Sequence, residues 1–144
     1  MADQLAADRI RAAREHLTLV SQGDWDGVIA TFRHARYEVY RTATIYDGEE
    51  AVRGYLNASR KIYPDLNHQI IAIAANDDIV LVEFWLKGTH LGPLLVGNKA
   101  YQATGRPLCV RQVMTFEFAP NSDKIACSRF YGSIEGELRA LGLI

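Results

Sequence analysis

A single proline separates two hydrophobic rhythms in this chain. Up to Tyr63 the apolar residues recur mostly at helical spacing, whereas beyond Pro64 they alternate residue by residue. Proline disfavours helical backbone in the residue before it, so the last helical pattern of the first half has to stop at Tyr63. Helices gathered ahead of a run of strands predict an α+β fold, in which a curved, mostly antiparallel sheet wraps around the N-terminal and middle helices.

Within the first half, Ala6, Ile10, Ala13, Leu17 and Val20 share one face of a helix predicted over 2–20. Ser21-Gln22-Gly23-Asp24 interrupts it, and Asp24 can cap a short second helix carrying Trp25, Val28, Ile29 and Phe32. Residues 37–44 alternate as a strand, with Tyr37, Val39, Arg41 and Ala43 on one face and Glu38, Tyr40, Thr42 and Thr44 on the other. Asp47 followed three positions later by Glu50 reads as an N-cap for a helix whose buried stripe is Val52, Leu56, Ser59 and Tyr63. The alternating half predicts four strands over 66–74, 79–90, 108–118 and 124–131.

Composition narrows the function. A chain of 144 residues fits one domain, expected over 1–144. Sixteen basic residues against seventeen acidic ones, scattered along the chain, leave no electrostatic footprint for nucleic acid or an anionic membrane. No apolar run approaches the ~18 residues of a membrane helix, and no export signal opens the sequence, so a cytoplasmic protein is expected. Cys109 and Cys127 lie in strand patterns and are expected as reduced thiols packed like small hydrophobes. His16, His34, His68 and His90 have no metal-ligand spacing, and no glycine-rich loop opens a helix, so no metal or nucleotide site is expected.

Several short motifs stand in a suggestive order: Tyr46-Asp47-Gly48, Tyr63-Pro64-Asp65, Gly88-Thr89-His90-Leu91-Gly92, Thr104-Gly105-Arg106, Arg129-Phe130-Tyr131 and Leu141-Gly142. With the element order, they make nearly the whole chain resemble the SnoaL-like polyketide cyclase family of the NTF2-like superfamily. That resemblance implies an NTF2-like cone with a cavity between sheet and helices, a homodimer joined through the other face of the sheet, and no metal or organic cofactor. It also implies a small hydrophobic carbonyl ligand and a role in secondary metabolism or small-molecule catabolism. The family's cyclases close a ring by an intramolecular aldol step, with a pocket carboxylate as general acid and base.

Strand parity supplies the candidate residues. Phe84 and Leu86 share the apolar face of the second strand with His90, which can move a proton at neutral pH or can hold the loop 88–93 in shape. Gln112, Met114 and Phe116 share a face of the third strand. Ile125, Cys127, Arg129, Tyr131 and Ser133 share one of the fourth, and both faces are candidate pocket walls. Arg129 needs a ligand anion, a carbonyl, or an ion pair with Glu38, Glu117 or Asp65. Tyr131 and Tyr40 can donate to an enolate oxygen or serve as core aromatics. The catalytic set read this way is His90, Arg129 and Tyr131, and the substrate-binding set is Tyr40, Phe84, Leu86, Gln112, Met114, Phe116 and Ser133.

One position departs from the family pattern. Relatives commonly carry an aspartate shortly after the aromatic residue of the last strand, where this chain has Ser133. Glu135 and Glu38 remain as substitutes, and His90 becomes the leading base by elimination. Two functions follow: a cofactor-independent cyclase or isomerase, or a noncatalytic small-molecule binder that has lost the acid. Epoxide or ester hydrolysis would need a carboxylate pair, and the sequence offers no clear one.

Overall fold

The computed structural model describes residues 2–144. Helices α1 (Ala2–Gln22) and α2 (Trp25–Ala30) come first, then strands β1 (Arg36–Val39) and β2 (Thr44–Asp47), and helix α3 (Glu49–Ile62). Strands β3 (Asn67–Ala75), β4 (Ile79–Thr89), β5 (Leu94–Val96), β6 (Lys99–Tyr101), β7 (Pro107–Phe118) and β8 (Ile125–Tyr131) follow, and α4 (Ile134–Ala140) is last. Six strands form one sheet in the order β2-β1-β8-β7-β4-β3, and β5 and β6 form a separate hairpin. Among the described strands β1 and β8 pair in parallel and the other pairings in the sheet are antiparallel, with one further parallel bridge between Phe32 and Ile125. The α+β architecture with a curved sheet is as expected.

Alternation along the central strands sends one side chain set inward. On β4, Val80, Val82, Phe84 and Leu86 are buried while Leu81, Glu83 and Trp85 are only half-buried. Helix α1 packs on β3 and β4, α3 on β1 and β2, and α4 on β7, so the inner face of the sheet is roofed by helices. The core runs from Leu17 and Val28 through Phe84, Phe116 and Ile125 to Leu138 and Leu141.

Five local features depart from the sequence reading. The strand predicted over 37–44 breaks after Val39 into a 3-10 turn, Tyr40–Thr42, which ends at Ala43 in the left-handed region (φ 54°) before β2 turns back. Gly48, with φ 94°, caps α3, because the Asp47 carboxylate is engaged by His34 and Arg36. The loop after β4 contains the β5–β6 hairpin, and the period-2 pattern ends in the two-turn helix α4, neither of which short, weakly periodic segments revealed. Lastly, bulges skip Ile71 in β3 and Ala126 in β8, and each reverses which residues point inward.

An unusual polar group sits at the centre of the core. His16 falls on the buried stripe of α1, is wholly buried, and is ringed edge-on by Phe32, Tyr37 and Phe116 at 5.2, 5.7 and 5.3 Å between centroids. Thr31 donates its hydroxyl proton to the Val28 carbonyl (2.6 Å), so it accepts from His16 Nδ1–H (2.9 Å). Nε2 is therefore the acceptor, and the Tyr37 hydroxyl donates to it at 2.6 Å. Burial holds the imidazole neutral, with its pKa pushed down to about 3.

Two predictions follow from this packing. Phe84→Ala should lower unfolding free energy by about 3–5 kcal/mol in chemical denaturation, and a loss under about 1 kcal/mol would invert the assignment of the inner face. Because the folded pKa of His16 lies below its ordinary 6.5, the unfolded chain takes up its proton first. That contribution to stability is present above pH 6.5 and is lost as pH falls toward about 3. Denaturation between pH 7 and 4 should show a slope of up to ~1.4 kcal/mol per pH unit from this residue, absent in a folded His16→Gln variant.

Candidate active site

A narrow cavity of about 50 Å³ lies between the inner face of the sheet and the helices. Leu17 and Val20 of α1, Leu56 of α3, Leu86 of β4, Met114 of β7 and Phe130 of β8 supply its apolar walls. Trp25, Tyr55, Ser59 and Ile62, half-buried like Arg41 and His68, line the side of the cavity along α2 and α3, where we place its mouth. Trp25 Nε1 donates to Asn57 Oδ1 at 2.7 Å and ties those two helices together there.

The cavity contains one carboxylate. Glu137 stands at the middle of α4 with 2% of its side chain exposed. Tyr63, at the C-cap of α3, donates its hydroxyl to Glu137 Oε1 at 2.6 Å, and Arg41, in the 3-10 turn, donates Nη1–H to Oε2 at 3.2 Å. Both carboxylate oxygens thus accept from a donor that also lines the cavity. Burial, followed by the neighbouring carboxylate, pushes the Tyr63 phenol well above its ordinary value, so the hydroxyl stays protonated. Burial opposes the Arg41 charge, but Tyr55 and Glu137 outweigh it and its pKa rises.

Three separated segments meet at this point for local reasons. The bend at Tyr40–Thr42 turns Arg41 in from the end of β1, continuing the face of Tyr37 and Val39. Pro64 ends α3 so that Tyr63 projects from its last turn. Ser133 starts α4 by accepting from the Gly136 amide at 3.0 Å, and Glu137 follows one turn later. Across the cavity His68 bonds Ser21 Oγ through Nδ1 at 3.1 Å and packs edge-on against Phe84. Burial, then Arg60, pushes its pKa down to about 4, so it is a neutral imidazole near pH 7.

The structure distributes the residues singled out from the sequence over five places. Leu86 and Met114 line the cavity. Phe84, Phe116 and Gln112 lie on the same inner face, buried in the core behind it. Arg129 and Tyr131 lie on the outer face, because the bulge at Ala126 points Ser128 and Phe130 inward in their stead, and Tyr40 lies there beside Tyr131. There Arg129 pairs with Glu38 at 3.0 Å and Glu117 at 3.1 Å, and Tyr40 stacks on Tyr131 with 4.8 Å between centroids. Glu135 is exposed and paired with Arg139, so neither it nor Glu38 reaches the cavity.

His90 is wholly buried but does not line the cavity. Its Nδ1 accepts from the Thr104 amide at 3.2 Å and meets Thr104 Oγ1 at 3.0 Å, while Nε2 has no partner. Ser133 serves as the cap already described.

The residues that the sequence reading missed had legible signals. Ile134, Glu137, Leu138 and Leu141 repeat at helical spacing, which places an acid on the buried stripe of a helix. Arg41 alternates with Tyr37 and Val39, and Tyr63 ends the stripe of α3. Among the described residues no group of three or more His, Cys, Asp or Glu side chains is placed to hold a metal ion. Both cysteines are free, and burial pushes the Cys127 thiol up to about 11. No helix among the described residues is long and apolar enough to cross a membrane.

Comparison with known proteins places this architecture. A family model described as a SnoaL-like domain matches residues 13–127. No curated protein matches the sequence. Among solved structures, a candidate SnoaL-like polyketide cyclase from Jannaschia sp. CCS1 superposes with a TM-score of 0.83 at 16% identity, covering 97% of this chain and 95% of that one. AclR from Streptomyces galilaeus, named as a candidate hydroxylase, gives a TM-score of 0.77 at 20% identity, covering 96% and 83%. IdmH from Streptomyces antibioticus, named as a candidate polyketide cyclase, gives 0.76 at 17%, covering 93% and 98%. The structural likenesses establish a shared NTF2-like fold, and with the family model spanning most of the sequence the chain belongs to the SnoaL-like family.

Proposed function

We propose that the chain is an acid–base enzyme that cyclises or isomerises a small hydrophobic carbonyl compound, with Glu137 moving the proton. The observation that carries this reading is a buried carboxylate, in an otherwise largely apolar cavity, held by two donors that line the same space. A base in such a site is desolvated and preorganised, which is what proton abstraction from carbon requires. Ser133, whose presence suggested a chain stripped of its acid, caps the helix that supplies one.

The steps balance without a further reactant. Glu137 takes a proton from the carbon beside the carbonyl, and the electron pair moves to the carbonyl oxygen. The N–H groups of Arg41 not used on Glu137 stand within the same cavity to receive that developing charge, while the Tyr63 O–H holds the carboxylate in place. Isomerisation of a β,γ-unsaturated ketone ends when Glu137 returns the proton to the γ-carbon of the conjugated dienolate. Cyclisation ends when the enolate carbon attacks a second carbonyl, whose oxygen takes the proton from Glu137.

The cavity is narrow, and the half-buried Trp25, Tyr55 and Ile62 are the side chains at its mouth whose displacement would admit a larger ligand. The outer face leaves Tyr40, Tyr131 and Ile45 exposed, and this is where we place the second copy that the resemblance implies.

Deuterium incorporation from heavy water into a panel of polyketide-like and steroid-like ketones tests the chemistry. Glu137→Gln should reduce exchange at the α-carbon by about 10²-fold or more, and Tyr63→Phe by about tenfold or more. Exchange by Glu137→Gln at the wild-type rate would sink the assignment. Arg41→Met strands the carboxylate and should cost about 3–5 kcal/mol of stability, most of it regained when Glu137→Leu is added. Equal stability of wild type and Arg41→Met would mean the pair is not buried as described.

A further inference from the structure

We infer that His90, Thr104 and Arg106 form a bracket that positions Glu137, acting on the catalytic carboxylate from the far end of its helix. The inference rests on the proposed role of Glu137 for its functional meaning, and on geometry alone for its mechanical meaning. Helix α4 has seven residues, too few to hold helical shape by itself in water. Its N-terminus is held by Ser133. Its C-terminus is held by Arg106, whose Nη1 donates to the Leu141 carbonyl at 2.8 Å and to the Gly142 carbonyl at 3.4 Å. A cation there also opposes the negative end of the helix dipole.

Arg106 is itself held by His90. The His90 amide donates to the Arg106 carbonyl at 3.0 Å, and the Gly105 amide donates to the His90 carbonyl at 2.9 Å. The imidazole Nδ1 accepts from the Thr104 amide, and Thr104 Oγ1 accepts from the Arg106 amide at 3.1 Å. The far side of the bracket is equally constrained: Gly142 has φ 71°, and a Cβ at that position would overlap Arg106 Nη1. Three short motifs distant in sequence, around His90, Thr104 and Leu141, thus converge on one joint. Loosening it frees the last turn of α4 and lets the Glu137 carboxylate drift from Tyr63 and Arg41. Small misplacements of a reacting group cost large factors in rate.

The test follows the carboxylate directly. In protein carrying ¹³C-labelled glutamate, the Glu137 carboxyl resonance is assigned by its loss in Glu137→Gln. Arg106→Met should shift that resonance and speed amide exchange of residues 137–141 by about tenfold or more. The Glu135 resonance, on the exposed side of the same helix, should stay in place. Thr104→Val should act in the same direction, and Arg106→Lys should recover part of the shift. In the ketone exchange assay, Arg106→Met should lower the saturated rate about tenfold and leave half-saturation within about twofold.

An unchanged Glu137 resonance and unchanged α4 exchange in folded Arg106→Met would overturn the inference. If Arg106→Met fails to fold, an unchanged resonance in Thr104→Val overturns it. A shifted resonance together with a fully active Glu137→Gln would uphold the bracket and remove the catalytic reading instead.

Discussion

A carboxylate taken out of water has to be met by donors, and in this protein that requirement joins parts of the chain nearly a hundred residues apart. Glu137 reaches across to Arg41 and Tyr63, so the C-terminal helix, the turn after the first strand and the end of the third helix must all be in place together. Attraction alone does not explain such an arrangement, since burying an ion pair costs desolvation that its mutual attraction often only matches. The apolar walls around it supply the stability, and the triad gives those walls one specific arrangement. The same contrast holds on the outer face, where Arg129 bridges Glu38 and Glu117 at partly solvated positions and organises the sheet surface without touching the cavity.

The overall architecture was legible because its signal is repeated. Each buried residue of α1, α3, β4 and β7 adds to the same periodic pattern, and Pro64 marks the boundary between the two periods. The candidate site was much less legible, because it depends on single residues where a pattern is broken. One skipped residue, Ala126, exchanges the inward set of β8 from Cys127, Arg129 and Tyr131 to Ser128 and Phe130. Nothing in an alternating string marks a bulge, since each register has plausible residues on both faces. Arg129 was therefore read as facing either a ligand or a carboxylate, and the structure shows the carboxylates.

Glu137 was overlooked for a different reason. The resemblance implies an acid just beyond the last strand, and Ser133 there reads as a loss. Taken as an N-cap, the same serine announces a helix, and a helix beginning at Ile134 puts Glu137 on the side of Leu138 and Leu141. His90 shows the converse: a histidine on an apolar face invites a chemical role, but its ring is committed to the loop that carries Thr104 and Arg106.

The parallel pairing of β1 with β8 bears on the order in which the protein assembles. Tyr37 lies opposite Ser128 and Val39 opposite Phe130, so the middle of the sheet is closed by contacts between the first and last strands in sequence. Loop closure over that span is entropically unfavourable until most other strands are in place. The β3–β4–β7 hairpins can form from neighbouring sequence, whereas the wall that carries Arg41 docks only once β8 has been added. The pocket therefore closes only once β8 and α4 join the rest, and a chain that has folded β3, β4 and β7 alone has the sheet's beginnings but nothing to enclose.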